Sequence, residues 1–297
     1  MGIDRVGVLG CGLMGAGIAQ VCAQAGHDTI VLEASTELLT RGLDRIGKFL
    51  QGSVDRGKMT AHERAATLSR LKGTVTTSDL ADRDLVIEAV TEDLAVKQAL
   101  IAMVDAVCPP KTIFASNTSS LSITQLAAGT RRTGRFIGLH FFNPVPLMGL
   151  VEMAPTILTE DAVLKEAAAF VESLNKTLIR TTDRTGFIVN RLLVPYILDA
   201  VRALEQGAGS IADIDRAMML GCGHPMGPLA LLDLVGLDTT LRIAEVFFEE
   251  FREPRFATPP LLKRMVLAGF HGRKTGRGFY DYGSGNPVPN DFLTRSA

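Results

Sequence analysis

The first 108 residues contain no proline. Proline removes a backbone donor and breaks helices and central strands, so its absence fits a first third built of uninterrupted elements. Cysteine is scarce and scattered: Cys11, Cys22, Cys108 and Cys222 form no Cys-Xaa-Xaa-Cys pair and share no spacing with paired histidines. That excludes a disulfide scaffold and a thiolate zinc site, and points to reduced thiols in a cytoplasmic protein. No metal is expected. No apolar run approaches the roughly 20 residues that span a bilayer, and no basic-plus-apolar leader is seen, so no membrane partner is expected. An excess of one charge is absent too. The formal net charge is −1 over 297 residues, which leaves no global field for nucleic acid, although a local basic pocket remains open. The remaining composition, 46% hydrophobic and 21% charged, is that of a globular enzyme, and the length suits two domains.

What is present in quantity is glycine, and its most informative use is the run Val6-Gly-Val-Leu-Gly10-Cys-Gly12-Leu-Met-Gly15-Ala-Gly17. A short apolar strand pattern breaks into Gly10-Xaa-Gly12-Xaa-Xaa-Gly15 and continues as a helix pattern. Gly10 permits the tight turn, Gly12 lets the backbone approach phosphates, and Gly15 lets the helix pack against the sheet. The helix N-terminus then offers free N–H groups and a positive dipole end to a pyrophosphate. Glycine turns are common, so the spacing alone is weak; here a second apolar strand, Thr29-Ile-Val-Leu32, ends in Glu33. A carboxylate there accepts the adenosine ribose hydroxyls and repels a 2′-phosphate, which favours NAD over NADP.

Further strand patterns lie at 73–76, 85–90, 112–116 and 135–140. Helical patterns at 37–56, 62–71, 94–107 and 122–128 alternate with them. Alternation of this kind predicts an α/β domain with a doubly wound, Rossmann-like parallel sheet. After His140 the rhythm changes, with strands at 150–154 and 177–181 around a helix at 161–174. From about Thr185 the texture becomes helical: an apolar helix at 187–206 holds Pro195, Ser210 and Asp213 open another in the manner of a capping box, and helices resume through Phe251. The boundary is placed near Asp183, giving domains 1–183 and 184–297, the second all-helical, with a loose tail from Gly283.

Ligands of open α/β sheets bind at the carboxyl ends of strands, and the 135–140 strand ends in His140, followed by the stiff turn Asn143-Pro-Val-Pro146. A single histidine is more often a core residue. Twelve residues on, however, Glu152 sits inside the apolar strand Leu150-Val-Glu-Met-Ala154. A buried glutamate is costly unless paired, and the chain turns back between the two, so His140 and Glu152 can meet as a base and its orienter. The segment Ala115-Ser-Asn-Thr-Ser-Ser-Leu121 ends another strand and places hydroxyls near a substrate oxygen; Thr118 or Ser119 is also expected to cap the following helix. Cys11 reads as a small filler. Arg41, Arg45 and Lys48, on the helix after Glu33, form either a solvated face or contacts to phosphates.

Taken together, these segments resemble the short, single-function 3-hydroxyacyl-CoA dehydrogenases. The resemblance extends in order through Val86-Ile-Glu-Ala-Val-Thr-Glu92, Leu139-His-Phe-Phe-Asn-Pro-Val-Pro146, Gly186-Phe-Ile-Val-Asn-Arg-Leu-Leu-Val-Pro195, His224-Pro-Met-Gly-Pro228 with Asp233-Leu-Val-Gly-Leu-Asp238, and Lys274-Thr-Gly-Arg-Gly-Phe-Tyr280. It implies that His140 is the general base, Glu152 its orienter, and that Ser119 and Asn190 bond the substrate. Asn143 would fix His140 or the thioester end. Gly10, Gly12, Leu13, Met14, Gly15, Glu33, Glu92, Lys97 and Asn117 would hold NAD. An acyl-CoA substrate and a homodimer built by the helical domain are implied as well. Two departures are Gly149, where many relatives carry a larger residue, and His224, where tyrosine is frequent; His224 reads as structural. Two other readings share the dinucleotide turn. One is a CoA-independent dehydrogenase of a small 3-hydroxy acid or sugar acid. The other is a non-catalytic, crystallin-like NAD-binding protein, which is expected to lack the His/Glu pair or the Ser/Asn contacts.

Overall fold

The computed structural model describes residues 2–283 and 285–290. The chain divides into two compact units after Phe187. In the first, eight strands form one sheet: β1 (Arg5–Leu9), β2 (Asp28–Leu32), β3 (Leu71–Thr74), β4 (Leu85–Glu88), β5 (Ile113–Ser116), β6 (Phe136–Phe141), β7 (Leu150–Pro155) and β8 (Thr177–Arg180). Their order is β3-β2-β1-β4-β5-β6-β7-β8, parallel throughout except for the antiparallel pair β6–β7. The strand order reverses beside β1, where such sheets open a crevice. The helices are α1 (Leu13–Gln24), α2 (Thr36–Asp55), α3 (Ala61–Ser69), α4 (Leu94–Asp105), α5 (Ile123–Ala127) and α6 (Asp161–Ser173).

The central strands β1, β4, β5 and β6 are nearly continuously apolar because both faces are covered. Along β4, Leu85 and Ile87 join Ile18, Ile46 and Phe170 in one core. Val86, pointing the other way, joins Ile101, Phe114 and Leu126 in another, as the two-residue period of a strand requires. The α3 entrance is a capping box, in which Thr60 accepts from the Glu63 N–H and the Glu63 carboxylate accepts from the Thr60 N–H. Several boundaries shift by a residue or two from the sequence reading, as where the helix expected at 187–206 runs Val189–Glu205, and at one place a residue changes element. The helix expected at 62–71 stops at Ser69 and the strand expected from Gly73 begins at Leu71, because Leu71 pairs with Thr29 of β2 and sheet pairing outweighs a helical apolar period.

The second unit contains α7 (Val189–Glu205), α8 (Ile211–Cys222), α9 (Pro228–Val235), α10 (Leu237–Phe251) and α11 (Pro260–Leu267) around Leu198, Leu229, Leu232, Phe247, Phe256 and Phe279. Ser210 caps α8 by accepting from the Asp213 N–H at 3.1 Å. The unit is not wholly helical. A short antiparallel pair joins β9 (Tyr280–Asp281) to β10 (Val288–Pro289), the latter within the stretch read as loose tail; residues 291–297 lie outside the described residues. No helix among the described residues is long and apolar enough to cross a membrane.

Two buried aspartates lace this region together. Asp215 accepts from the N–H groups of Leu229 (2.7 Å) and Ala230 (2.9 Å) at the start of α9, and from the Tyr280 hydroxyl at 2.8 Å. Asp233 accepts from the N–H groups of Phe279 and Tyr280 and from the Tyr282 hydroxyl. Burial, reinforced by the neighbouring Asp215 charge, raises the Asp233 carboxyl to about 6 despite those donors. The folded protein therefore holds this proton more tightly than the unfolded chain, whose aspartate titrates near about 3.9. The favourable contribution is complete below about pH 4 and is lost as pH rises through about 6. Between pH 7 and pH 5, the thermal midpoint of the wild type is expected to rise relative to that of Asp233→Asn, which cannot titrate. A wild-type midpoint that stays constant or falls relative to that of the variant between pH 7 and pH 5, in parallel melts, would contradict this.

Candidate active site

Gly10 follows β1 with φ of +95°, a left-handed region open to glycine, and donates its N–H to the Leu32 carbonyl at 2.8 Å. A Cβ on Gly15 would lie 2.0 Å from the Gly10 carbonyl oxygen, so a side chain there would force the turn apart. Helix α1 starts at Leu13 behind Gly12, which provides no side-chain cap, and its first turn holds no acidic residue. A Cβ on Gly12 would point into open space. The leading N–H groups thus face an open concavity of the kind that holds phosphates. Leu13 is exposed and Met14 half-buried beside it.

The Glu33 carboxylate is fastened to the same turn, accepting from the Cys11 N–H and the Ala34 N–H, each at 2.7 Å. Each oxygen keeps acceptor capacity for a ribose hydroxyl. An uncapped helix N-terminus beside a fixed carboxylate fits NAD. Burial, with the nearby Glu33 charge, pushes the Cys11 thiol up to about 11, so it is a protonated filler at neutral pH. A cleft runs from Leu13 along Arg45, Ile46 and Phe49 of α2 to Asn143–Pro146.

Beyond β4 and β5 lies a polar network, buried at Lys97 and Glu88 and open to solvent at Glu92. Lys97 and Glu88 are each 1% exposed and paired at 2.7 Å. Lys97 also donates to Glu92 at 3.1 Å and to the Val90 carbonyl at 3.3 Å. Glu88 accepts from the Ser116 hydroxyl at 2.5 Å and the Val90 N–H at 2.7 Å. Glu92 in turn accepts from the Thr118 hydroxyl (2.5 Å), the Ser120 hydroxyl (2.9 Å) and the Ser119 N–H (3.1 Å), and Lys97, with these donors, holds its carboxyl below the usual range against burial. Lys97 is enclosed by protein partners, so its reach toward any ligand runs through Glu92. The Asn117 side-chain oxygen accepts from the Phe141 N–H at 2.9 Å, tying this loop to the strand that carries His140.

Neither Thr118 nor Ser119 caps the next helix. The cap of α5 is Ser122, which accepts from the Gln125 N–H, while Asp183 accepts from the Ile123 and Thr124 N–H groups at 2.7 Å. Once Asp183 satisfies those donors, the helix starts later than the hydroxyl-rich loop implied. Glu88 was missed by sequence reading, though a glutamate ending an apolar strand is the same signal that marked Glu152. Lys176 was missed too. It donates to the Val145 and Met148 carbonyls, both at 2.7 Å, pinning the turn that begins at Asn143; a lysine after a helix gives no such signal.

His140 and Glu152 face each other directly in the β6–β7 register. His140 Nδ1 lies 2.8 Å from Glu152 Oε2, and the carboxylate is fully buried. The rings of Phe142 and Phe187 tilt against the imidazole with centroids at 4.4 and 5.6 Å. A carboxylate can only accept, which sets the hydrogen on Nδ1 and leaves the Nε2 lone pair as the basic site. Ser119 is half-buried in the neighbouring loop. Asn190 lies in the first turn of α7, in the second unit. There too, His224 Nδ1 meets the Tyr196 hydroxyl at 3.0 Å.

Comparison with known proteins bears on the family of the chain. The family model described as 3-hydroxyacyl-CoA dehydrogenase, NAD binding domain, matches residues 5–184, and that for the C-terminal domain of the same family matches residues 186–282. The chain is 50% identical over 282 residues to a 3-hydroxybutyryl-CoA dehydrogenase of Mycobacterium tuberculosis, covering 94% of this chain and 99% of that protein. The crystal structure of M. tuberculosis FadB2, also 50% identical, superposes with a TM-score of 0.94 over 95% of this chain and 100% of the other. That of (S)-3-hydroxybutyryl-CoA dehydrogenase from Ralstonia eutropha, 43% identical, superposes with a TM-score of 0.91 over 94% of this chain and 99% of its own. The chain belongs to the 3-hydroxyacyl-CoA dehydrogenase family, enzymes whose first domain binds NAD.

Proposed function

We propose that the protein interconverts L-3-hydroxybutyryl-CoA and acetoacetyl-CoA, reversibly and with NAD, using His140 and Glu152 as its acid–base dyad. The observation that carries this reading is the buried His140–Glu152 contact at the carboxyl end of β6, in the same sheet as the dinucleotide turn. The chemistry that NAD supplies when bound is acceptance of a hydride. Nε2 of His140 takes the proton of the 3-hydroxyl, and Glu152 stabilises the imidazolium that results. In the reverse direction the imidazolium returns that proton to the 3-keto oxygen.

Gly10, Gly12, Leu13, Met14 and Gly15 form the cradle for the pyrophosphate, and Glu33 takes the ribose. Asn117 and Glu92, the latter held by Lys97, line the inner end of the cofactor site. Ser119 and Asn143 bond the substrate, and Asn190 is assigned the same role on its motif alone. Arg41, Arg45 and Lys48 of α2 receive the CoA phosphates; the position of Arg45 beside the cleft supports this. Residues 1–183 carry the cofactor and the base, and residues 184–297 a homodimer surface, supported by the exposed apolar side chains of Leu192, Leu220, Leu234 and Phe248. With its cysteines unpaired, the enzyme works in the cytoplasm.

The test is NADH consumption at neutral pH with acetoacetyl-CoA, beside free acetoacetate and beside NADPH. Rapid turnover is expected for the thioester with NADH alone. Equal turnover of free acetoacetate would transfer the reading to a CoA-independent hydroxy acid dehydrogenase. Tight NADH binding with no turnover of either would indicate a binding protein.

A further inference from the structure

A strained point of the first unit adjoins its candidate base. Phe187 has φ of +48°, a conformation that a bulky side chain adopts only when its surroundings insist. Gly186 before it is also left-handed, at +81°, and the Phe187 N–H is held by the Arg184 carbonyl at 2.9 Å. The ring is 4% exposed and reaches the core that holds Leu9, Phe114 and Ile123. Its centroid is 5.6 Å from that of His140, tilted by 48°, while Phe142 meets the same imidazole at 4.4 Å and 54°. A residue needed only to fill volume has no reason to occupy a strained backbone position next to a glycine. The strain is retained where it places an aromatic face against the imidazole.

We infer that Phe187, with Phe142, is a positioning residue for His140, fixing the rotation of the imidazole about the Nδ1–Glu152 hydrogen bond and so the direction of Nε2. Glu152 anchors one atom of the ring and leaves its plane free to rock; the two phenyl rings remove that freedom. Tilted aromatic contacts are directional, so an aliphatic side chain of similar volume fills the space without orienting the ring. Misalignment of a proton acceptor lowers the rate of the chemical step more than the binding of either ligand. This inference rests on the reading of His140 as the base.

The experiment compares wild type, Phe187→Leu, Phe187→Tyr and His140→Gln with acetoacetyl-CoA and NADH. For Phe187→Leu, kcat is expected to fall roughly ten-fold with KM for the thioester and Kd for NADH within about two-fold of wild type. Its solvent deuterium isotope effect on kcat should rise, because proton transfer becomes more nearly rate-limiting. Phe187→Tyr, which keeps the ring, should recover most of kcat. A leucine variant with wild-type kcat and isotope effect overturns the proposal, as does one that loses KM and thermal stability in step with kcat while its isotope effect stays put. If Phe187→Leu fails to fold, Phe142→Leu, at the half-buried ring, carries the same test, and unchanged kcat there overturns the inference. The reading of His140 fails separately: the wild type would then be inactive, or His140→Gln as active as wild type.

Discussion

His140→Ala is expected to lower kcat for acetoacetyl-CoA reduction by ~10²–10⁴, the range that a positioned general acid or base contributes, while NADH binding persists. The two effects separate because they rest on different elements. The proposed cofactor cradle is made by the ends of β1 and β2 and the start of α1, and its internal hydrogen bonds run from Gly10 to Leu32 and from Cys11 to Glu33. None of these bonds includes β6, and the one link from Asn117 to that strand uses the Phe141 N–H, which the substitution leaves in place. Removing the imidazole deletes the only atom that the Glu152 geometry leaves free to exchange a proton with the 3-oxygen. It also leaves a fully buried carboxylate without its 2.8 Å partner, so some stability is lost as well. His140→Gln separates that loss from catalysis, since an amide can still donate to Glu152 but cannot act as a base. Steady-state kinetics on both variants, with NADH affinity measured by fluorescence titration, decide the matter. Either variant retaining full activity would sink the assignment of the base.

The first unit was legible in the sequence because its central strands are short, continuous and apolar, a consequence of being covered on both faces. The antiparallel return that pairs His140 with Glu152 was legible for a related reason: a glutamate in an otherwise apolar strand must have a partner, and a twelve-residue separation with a Pro-rich turn supplies one. The same logic applied to Glu88, but its cation lies on a helix, nine residues along the chain, and the resemblance marked Lys97 only as a residue near the cofactor, not as the partner of Glu88. The Leu71 boundary was set by pairing with β2, which local periodicity does not record. The β9–β10 pair was hidden because two-residue strands have no period. The interactions of Asp183 and Lys176 with backbone groups far along the chain leave no trace in composition, since any polar residue near a loop looks alike.

Breaking the Lys97–Glu88 pair should produce the largest loss of stability in the first unit. Lys97→Met keeps the length and apolar volume of the side chain and removes only the charge. It leaves Glu88 inside the protein with the Ser116 hydroxyl and the Val90 N–H as its remaining donors. Removing one partner of a buried pair typically costs about 3–5 kcal/mol, because the other charge is stranded without water. Replacing both partners, Glu88→Gln with Lys97→Met, removes the stranded Glu88 charge, while Glu92 loses the ammonium but keeps its Thr118, Ser119 and Ser120 donors, and recovery of most of that loss is expected. The chain has no tryptophan, so urea unfolding is best followed by circular dichroism together with loss of NADH binding, which reports on the unit that carries the cofactor turn. Activity should not recover with stability. In the double variant Glu92 still lacks the ammonium that balances its charge beside Ser119, so a stable but slow enzyme is the expected outcome. A double variant as unstable as Lys97→Met would show that packing around the lysine stem matters more than its charge. Full activity in the double variant would show that Glu92 holds the Ser119 loop through Thr118 and Ser120 without help.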